Sequence, residues 1–279
     1  MTGLSDKRDD PTKRGTFGTG SIMAMCVLTA RGVSVEIQNN TVVWVPSFEY
    51  CDKFEEDILV ITESINVNPH SNFMVTIMGL TEDDISDVKQ TNLVFQDREV
   101  IVSTEYGDII NTVDDQKEVY CGELFVQQTG SFKYSYNIKP QYLKLNQDRQ
   151  SLSEFDLQRI TAKLIMSCGD EALIREAIDA DSLDTRYVQY GYGSVPEELS
   201  DTYAREFVDE NESTLVTDNY TEHQENLDNK IPSVYIDNEV KVKAIRSTTI
   251  YKDSIENVVL VEKKTPFEVT EIIHEEIKE

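Results

Sequence analysis

The chain has 279 residues, 39% of them hydrophobic, with few glycines and prolines, which describes a folded protein longer than one ordinary domain. Its formal charge of -26 excludes duplex nucleic acid as a main partner, because so acidic a surface repels phosphate backbones. The carboxylates crowd between Asp170 and Asn226, where lysine is absent. This reads as a solvated acidic face or, less simply, a dock for a basic partner.

Residues Ser5 to Arg14 are charged and carry Pro11, and predict a loop. A helix is predicted from about Thr19 to Arg31, stopped by Gly32. It is apolar on nearly every side (Ile22, Met23, Met25, Cys26, Val27, Leu28), so burial all round is expected. The run Ser21–Ala30 is too short to span a bilayer, and no secretory leader opens the chain. "VSVEI" and "TVVWV" predict a β-hairpin, and "DILVITESI" and "NFMVTIMGL" two further strands with near-continuous apolar runs. Thr81 with the acids after it marks the start of a short helix.

From about Glu99 the segments are β-rich and punctuated by Gly107, Gly122 and Gly130. An amphipathic helix from Leu152 to Cys168 and a shorter one from Glu171 to Asp179 come next. The tail predicts a helix over Glu197–Val208, a strand at "STLVT", a helix near Asn219–Leu227 and a strand at "PSVYI". The fold class expected is α/β in the α+β sense, in three parts: 1–98, 99–194 and a small acidic α/β unit, 195–279. Four scattered cysteines and three isolated histidines give neither a disulfide framework nor metal-ligand spacing, and the chain reads as reduced and cytoplasmic.

Gly15, Gly18 and Gly20 form G-x-F-G-x-G where the first helix starts, with Phe17 as an anchor to the core. Unpaired amides at a helix N-terminus suit a polyphosphate, and glycine lets the main chain approach its oxygens. A plain tight turn uses the same residues. The stretch "GTFGTGSIMAMCVLTARGVSVEIQNNTVVW" resembles the second glycine box of the GHKL ATPases, the gyrase, heat-shock chaperone, histidine kinase and MutL superfamily. "LNQDR" before a long helix is similar to the transducer segment of the phage-type members of that group, which include the phage rapid-lysis proteins.

That resemblance implies a partial Bergerat-type sandwich of helices on a mixed sheet, then a transducer-like domain. It implies ATP as ligand, held by Gly15, Phe17, Gly18, Thr19 and Gly20, with Thr76 near the adenine and Lys144 or Arg149 near the γ-phosphate. The bland alternatives are a plain strand residue for Thr76 and a salt bridge to Asp148 or Asp156 for Arg149. The family's general base, magnesium-ligating Asn and adenine Asp would precede Met1, so Mg2+ and hydrolysis are expected only with a missing half. The reading is therefore an ATP-driven conformational switch in a phage-infected host cytoplasm. It is completed by a separate polypeptide or a homo-oligomer, through an apolar face left open. The competing reading is a non-catalytic acidic structural or regulatory interaction protein with a relic nucleotide box.

Overall fold

The computed structural model describes residues 20–67, 73–143 and 153–256. The chain divides into two compact units, one made of residues 1–130 and 134–153, the other of 131–133 and 154–279. The fold is α+β. Among the described residues, no helix is long and apolar enough to cross a membrane.

In the first unit, helix α1 (Gly20–Ala30) leads into strands β1 (Ser34–Asn39), β2 (Val42–Cys51), β3 (Glu56–Ile65) and β4 (Phe73–Met78). The helix stops where Gly32 turns left-handed at φ 76°. The Gly32 N–H bonds back to Thr29 O at 3.0 Å and the Val33 N–H to Leu28 O at 2.9 Å. This is the paired closure that satisfies two terminal carbonyls and sends the chain straight into β1. The four strands form one antiparallel sheet in the order β3-β2-β1-β4. The predicted hairpin is β1–β2, turned through Asn40 at φ 53°, a conformation asparagine tolerates.

Helix α2 (Glu82–Thr91) begins at the expected Thr81, whose hydroxyl accepts the Asp84 N–H while the Asp84 carboxylate accepts the Thr81 N–H. A short 3₁₀ turn precedes β5 (Val100–Ser103), β6 (Gly107–Ile110), β7 (Glu118–Cys121), β8 (Leu124–Gln128) and β9 (Ser135–Ile138). They form a mixed sheet, β5-β6-β9-β7-β8, with β7 and β9 parallel. Its middle is dry: Ile109, Val119, Tyr120, Tyr136 and Ile138 are all 0% exposed. β6 approaches β9 so closely that a Cβ on Gly107 would collide with the Asn137 carbonyl oxygen and lie 2.9 Å from Ile138 Cα. No other residue type fits there.

The second unit is mainly helical: α3 (Glu154–Met166), α4 (Glu171–Asp179), α5 (Glu197–Glu210), α6 (Tyr220–Asp228), α7 (Glu239–Ser247) and α8 (Thr249–Ser254). Strands β10 (Leu215–Thr217) and β11 (Ser233–Tyr235) pair in parallel around α6. Its core runs through Leu164, Ile165, Ile174, Ile178 and Ala204. Side chains cap the helices as their sequences require: Asp170 accepts the Ala172 and Leu173 N–H groups of α4, and Asn219 those of Thr221 and Glu222 in α6. Helices α7 and α8 go beyond the sequence expectation. Their β-branched residues weaken the helical pattern, and Asn238 and Thr248 cap them in the structure.

One expectation about α1 fails. Of its residues only Met25 is buried, while Met23 and Val27 are 59% and 57% exposed. An all-apolar helix calls for cover on every side, and here a single sheet covers one.

Candidate interaction surface

Residues paired across an antiparallel sheet point to the same side, so the register assigns the faces of β1–β4. Val35 and Ile37 of β1 pair with Ile77 and Val75 of β4, and Ile37 also pairs with Trp44 of β2. These residues form the side on which α1 packs, over β1 and β2, around a small cluster of Met25, Val35 and Ile37. Ile22, Leu28, Trp44 and Leu59 lean on that cluster only partly buried. Trp44 keeps its indole N–H at the rim, donating to Glu63 Oε2 at 2.8 Å.

The helix does not reach across to β4. On the helix side of that strand Phe73, Val75 and Ile77 stay 64%, 46% and 39% exposed. On the opposite edge Ile65 is 83% exposed. Among the described residues, this layer presents the densest set of solvated large apolar side chains, and such patches mark interaction sites when contiguous.

Of the residues expected to bind nucleotide, only Gly20 and Thr76 are among those described. Gly15, Phe17, Gly18, Thr19, Lys144 and Arg149 lie outside the described residues. Gly20 opens α1, exposed, and a Cβ built there meets nothing within 4 Å, so no close approach demands glycine. Thr76 sits in the middle of β4, half-buried and paired with Glu36 on the sheet side away from α1. Among the described residues no group of His, Cys, Asp or Glu could hold a metal ion.

Two polar networks cross-link elements inside the units, the first largely buried and the second partly exposed. In the first unit the Arg98 guanidinium donates to Glu118 Oε2, to Asn111 O at 2.9 Å and to Gln96 Oε1 at 3.2 Å. The Tyr120 hydroxyl lies 3.0 Å from Gln96 Oε1 and 3.1 Å from Glu118 Oε2. Burial, the largest cause, pushes that phenol above its ordinary range. Each group bonds a neighbour, so the network ties the chain before β5 to β7. In the second unit Arg175 bonds Glu206 from α4 to α5, and Lys241 of α7 lies 2.8 Å from Asp179 and 4.6 Å from the Tyr203 ring centre. These contacts cross-tie three helices. Tyr203 is raised well above the ordinary phenol range, again mainly by burial.

Residues 83–171 match the model of the Mycoplasma pneumoniae MPN635 N-terminal domain. The match covers less than half of the chain, running from α2 to the first residue of α4, and it encloses the whole Arg98 network. No curated protein and no solved structure matches the chain. The resemblance to the GHKL ATPases is therefore corrected: the family whose model matches is this Mycoplasma domain, and no curated relative or solved structure supports a Bergerat sandwich or a transducer domain. The physical reason is the brevity of the motif. Glycines before a helix supply turn freedom to any chain entering one, so the pattern carries little information about ligand.

An apolar face left open was expected from the sequence, but its place on β4 was not, although a signal was there. "NFMVTIMGL" is apolar on both sides of the pleat, which a strand needs only when both sides are covered. Continuous runs of that kind state a demand for cover without saying which chain provides it.

Proposed function

We propose that this chain is a non-catalytic acidic interaction protein whose first unit docks a partner through the apolar surface formed by α1 and β4. One observation carries the reading: Met23, Val27, Phe73 and Val75 remain in solvent on an otherwise regular helix and strand. Leaving such side chains wet forfeits about 1.5–3 kcal/mol each of available burial, which association recovers. The acidic remainder of the surface, at a formal charge of -26, limits unspecific self-adhesion and keeps nucleic acid away. The described cysteines are all free, which suits a reducing, cytoplasmic setting.

The test is a pair of stability measurements. Met23→Gln and Phe73→Thr should leave the unfolding free energy of the isolated chain within about 0.5 kcal/mol of its starting value, since neither contributes to the core. A loss of about 2 kcal/mol or more would make them structural and remove the reading. In parallel, ATP with Mg2+ should leave the melting temperature unmoved. A rise that grows with nucleotide concentration would return a nucleotide-binding role to the chain.

A further inference from the structure

We propose that the carboxyl edge of the β10–β11 pair, in the second unit, is a binding site for a cationic side chain presented by a basic protein segment. The inference is independent of the apolar surface on the first unit.

β10 and β11 run parallel with Thr217 beside Tyr235, and one step further on the Ile236 N–H bonds Thr217 O at 2.9 Å. Both strands therefore end at one edge, where parallel strands joined by helices present their ligand-binding loops. The two loops are built alike. Asp218 precedes Asn219, which caps α6, and Asp237 precedes Asn238, which caps α7. Each cap uses its asparagine and leaves the aspartate outside the helix.

Three rings stand at this edge. Tyr220 and Tyr235 meet edge to face with centroids 5.7 Å apart, and His223, one turn along α6, lies 6.3 Å from each. Tyr220 is 61% exposed, so its ring is open to an incoming group. The Tyr235 hydroxyl donates to Asp237 Oδ1 at 3.0 Å. That bond first, then desolvation and the charges of Asp237 and Asp218, raise the phenol above its ordinary range, so both carboxylates act on one ring.

The chain supplies this edge with no cation of its own. The basic groups of α7 are engaged elsewhere: Lys241 with Asp179 at 2.8 Å, Lys243 with Gln189 O at 2.6 Å, and Arg246 with Val216 O and Glu222. Among the described residues the half-buried Asp218 makes neither a hydrogen bond nor an ion pair. His223 Nδ1 is closed to solvent and also has no hydrogen-bond partner. An ammonium or guanidinium group answers both features of the site. Ring faces attract it through their quadrupole, and the carboxylates through charge-assisted hydrogen bonds. A metal ion finds too few ligands, since among the described residues no group of three or more His, Cys, Asp or Glu could hold one. A formal charge of -26 steers basic proteins towards the chain, and this edge adds the shape that charge alone lacks.

The experiment titrates the full chain with an oligolysine peptide, following affinity by calorimetry and the His223 ring resonance by NMR. Saturable binding with a shifted His223 signal is expected. Asp218→Asn with Asp237→Asn should weaken it at least about tenfold. Asp114→Asn with Asp115→Asn removes the same charge from an exposed turn of the first unit and should weaken it less than about twofold. Tyr220→Phe should keep the affinity, and Tyr220→Leu should lower it about threefold. Melting curves check that each variant folds; should a variant fail, the His223 shift in the native chain decides. Equal losses in the two asparagine pairs, no difference between Phe and Leu at position 220, or a silent His223 would each mean that net charge alone attracts the peptide, and would overturn the proposal. Tetramethylammonium, which has no hydrogen-bond donor, should move the His223 signal only weakly. A response as strong as the peptide's would make the occupant a free organic cation and remove the protein segment.

Discussion

The two sheets of the first unit follow the same backbone rules and reach opposite outcomes. The five-stranded sheet shuts its centre completely, with Tyr136 and Ile138 at 0% exposure. The four-stranded sheet is longer in most of its strands and equally apolar, yet its buried cluster under the helix is only Val35 and Ile37 beneath Met25. The difference lies in cover. Strands of apolar composition acquire a core only where a second layer reaches them, and α1 is too narrow for four strands. Composition sets how much burial is wanted; topology decides how much is obtained within one chain.

Breaking the well-covered sheet should give the largest effect. Gly107→Ala forces a side chain against the Asn137 carbonyl at a backbone φ of 152°. Strain and overpacking together predict a loss of about 2–6 kcal/mol in urea unfolding. A loss below about 1 kcal/mol would mean that β6 and β9 slide apart easily, and that the contrast between the sheets is shallow. Next comes Ile138→Ala, expected to cost about 2–5 kcal/mol by removing a fully buried side chain from tightly packed surroundings.

A smaller pair sharpens the comparison inside one helix. Met25→Ala should cost about 2 kcal/mol, because it empties the centre of the small cluster. Val27→Ala, two residues away and exposed, should change stability by no more than about 0.5 kcal/mol. Equal losses at both positions would show that α1 is covered on its outer side in the free chain.

Much of this fold was legible in the sequence, for identifiable reasons. The Thr81 cap, the Gly32 stop and the β1–β2 hairpin are local devices, set by residues that touch within a few positions. α4 begins and ends where its pattern says, at Glu171 and Asp179, because Asp170 caps it and Ile174, Ala177 and Ile178 fall on one side. What could not be read was cover. The apolar runs at Ile22–Leu28 and Phe73–Met78 look the same whether a layer lies over them or not, since the layer is supplied by distant chain. The candidate nucleotide residues were joined only by likeness to a family, and most of them lie outside the described residues. The surface proposed in their place was visible only once the register had set Val75 beside Ile37.

The most local expected effect concerns how the thinly covered layer is fastened to helix α2. Arg31, just past the end of α1, reaches Asp84 in the first turn of α2 at 2.8 Å. The hydrogen bonds from the Thr81 hydroxyl and backbone, then Arg31, hold the Asp84 carboxyl at about 2, below its ordinary 3.8. A carboxyl lowered on folding contributes its stability in full above the unfolded value, near 3.8, and loses it as pH falls through about 2. Between those values the start of α2 should fray while the five-stranded sheet keeps its protection, a sequence readable by hydrogen exchange at Ile85 and Ile138. Thr81→Ala removes one side of the capping box and should cost about 1 kcal/mol at neutral pH. Asp84→Asn should flatten the acid response and leave the protection of Ile138 untouched. If Ile138 loosens together with Ile85, the two layers unfold as one body, and the weak cover over β1–β4 has no separate thermodynamic meaning.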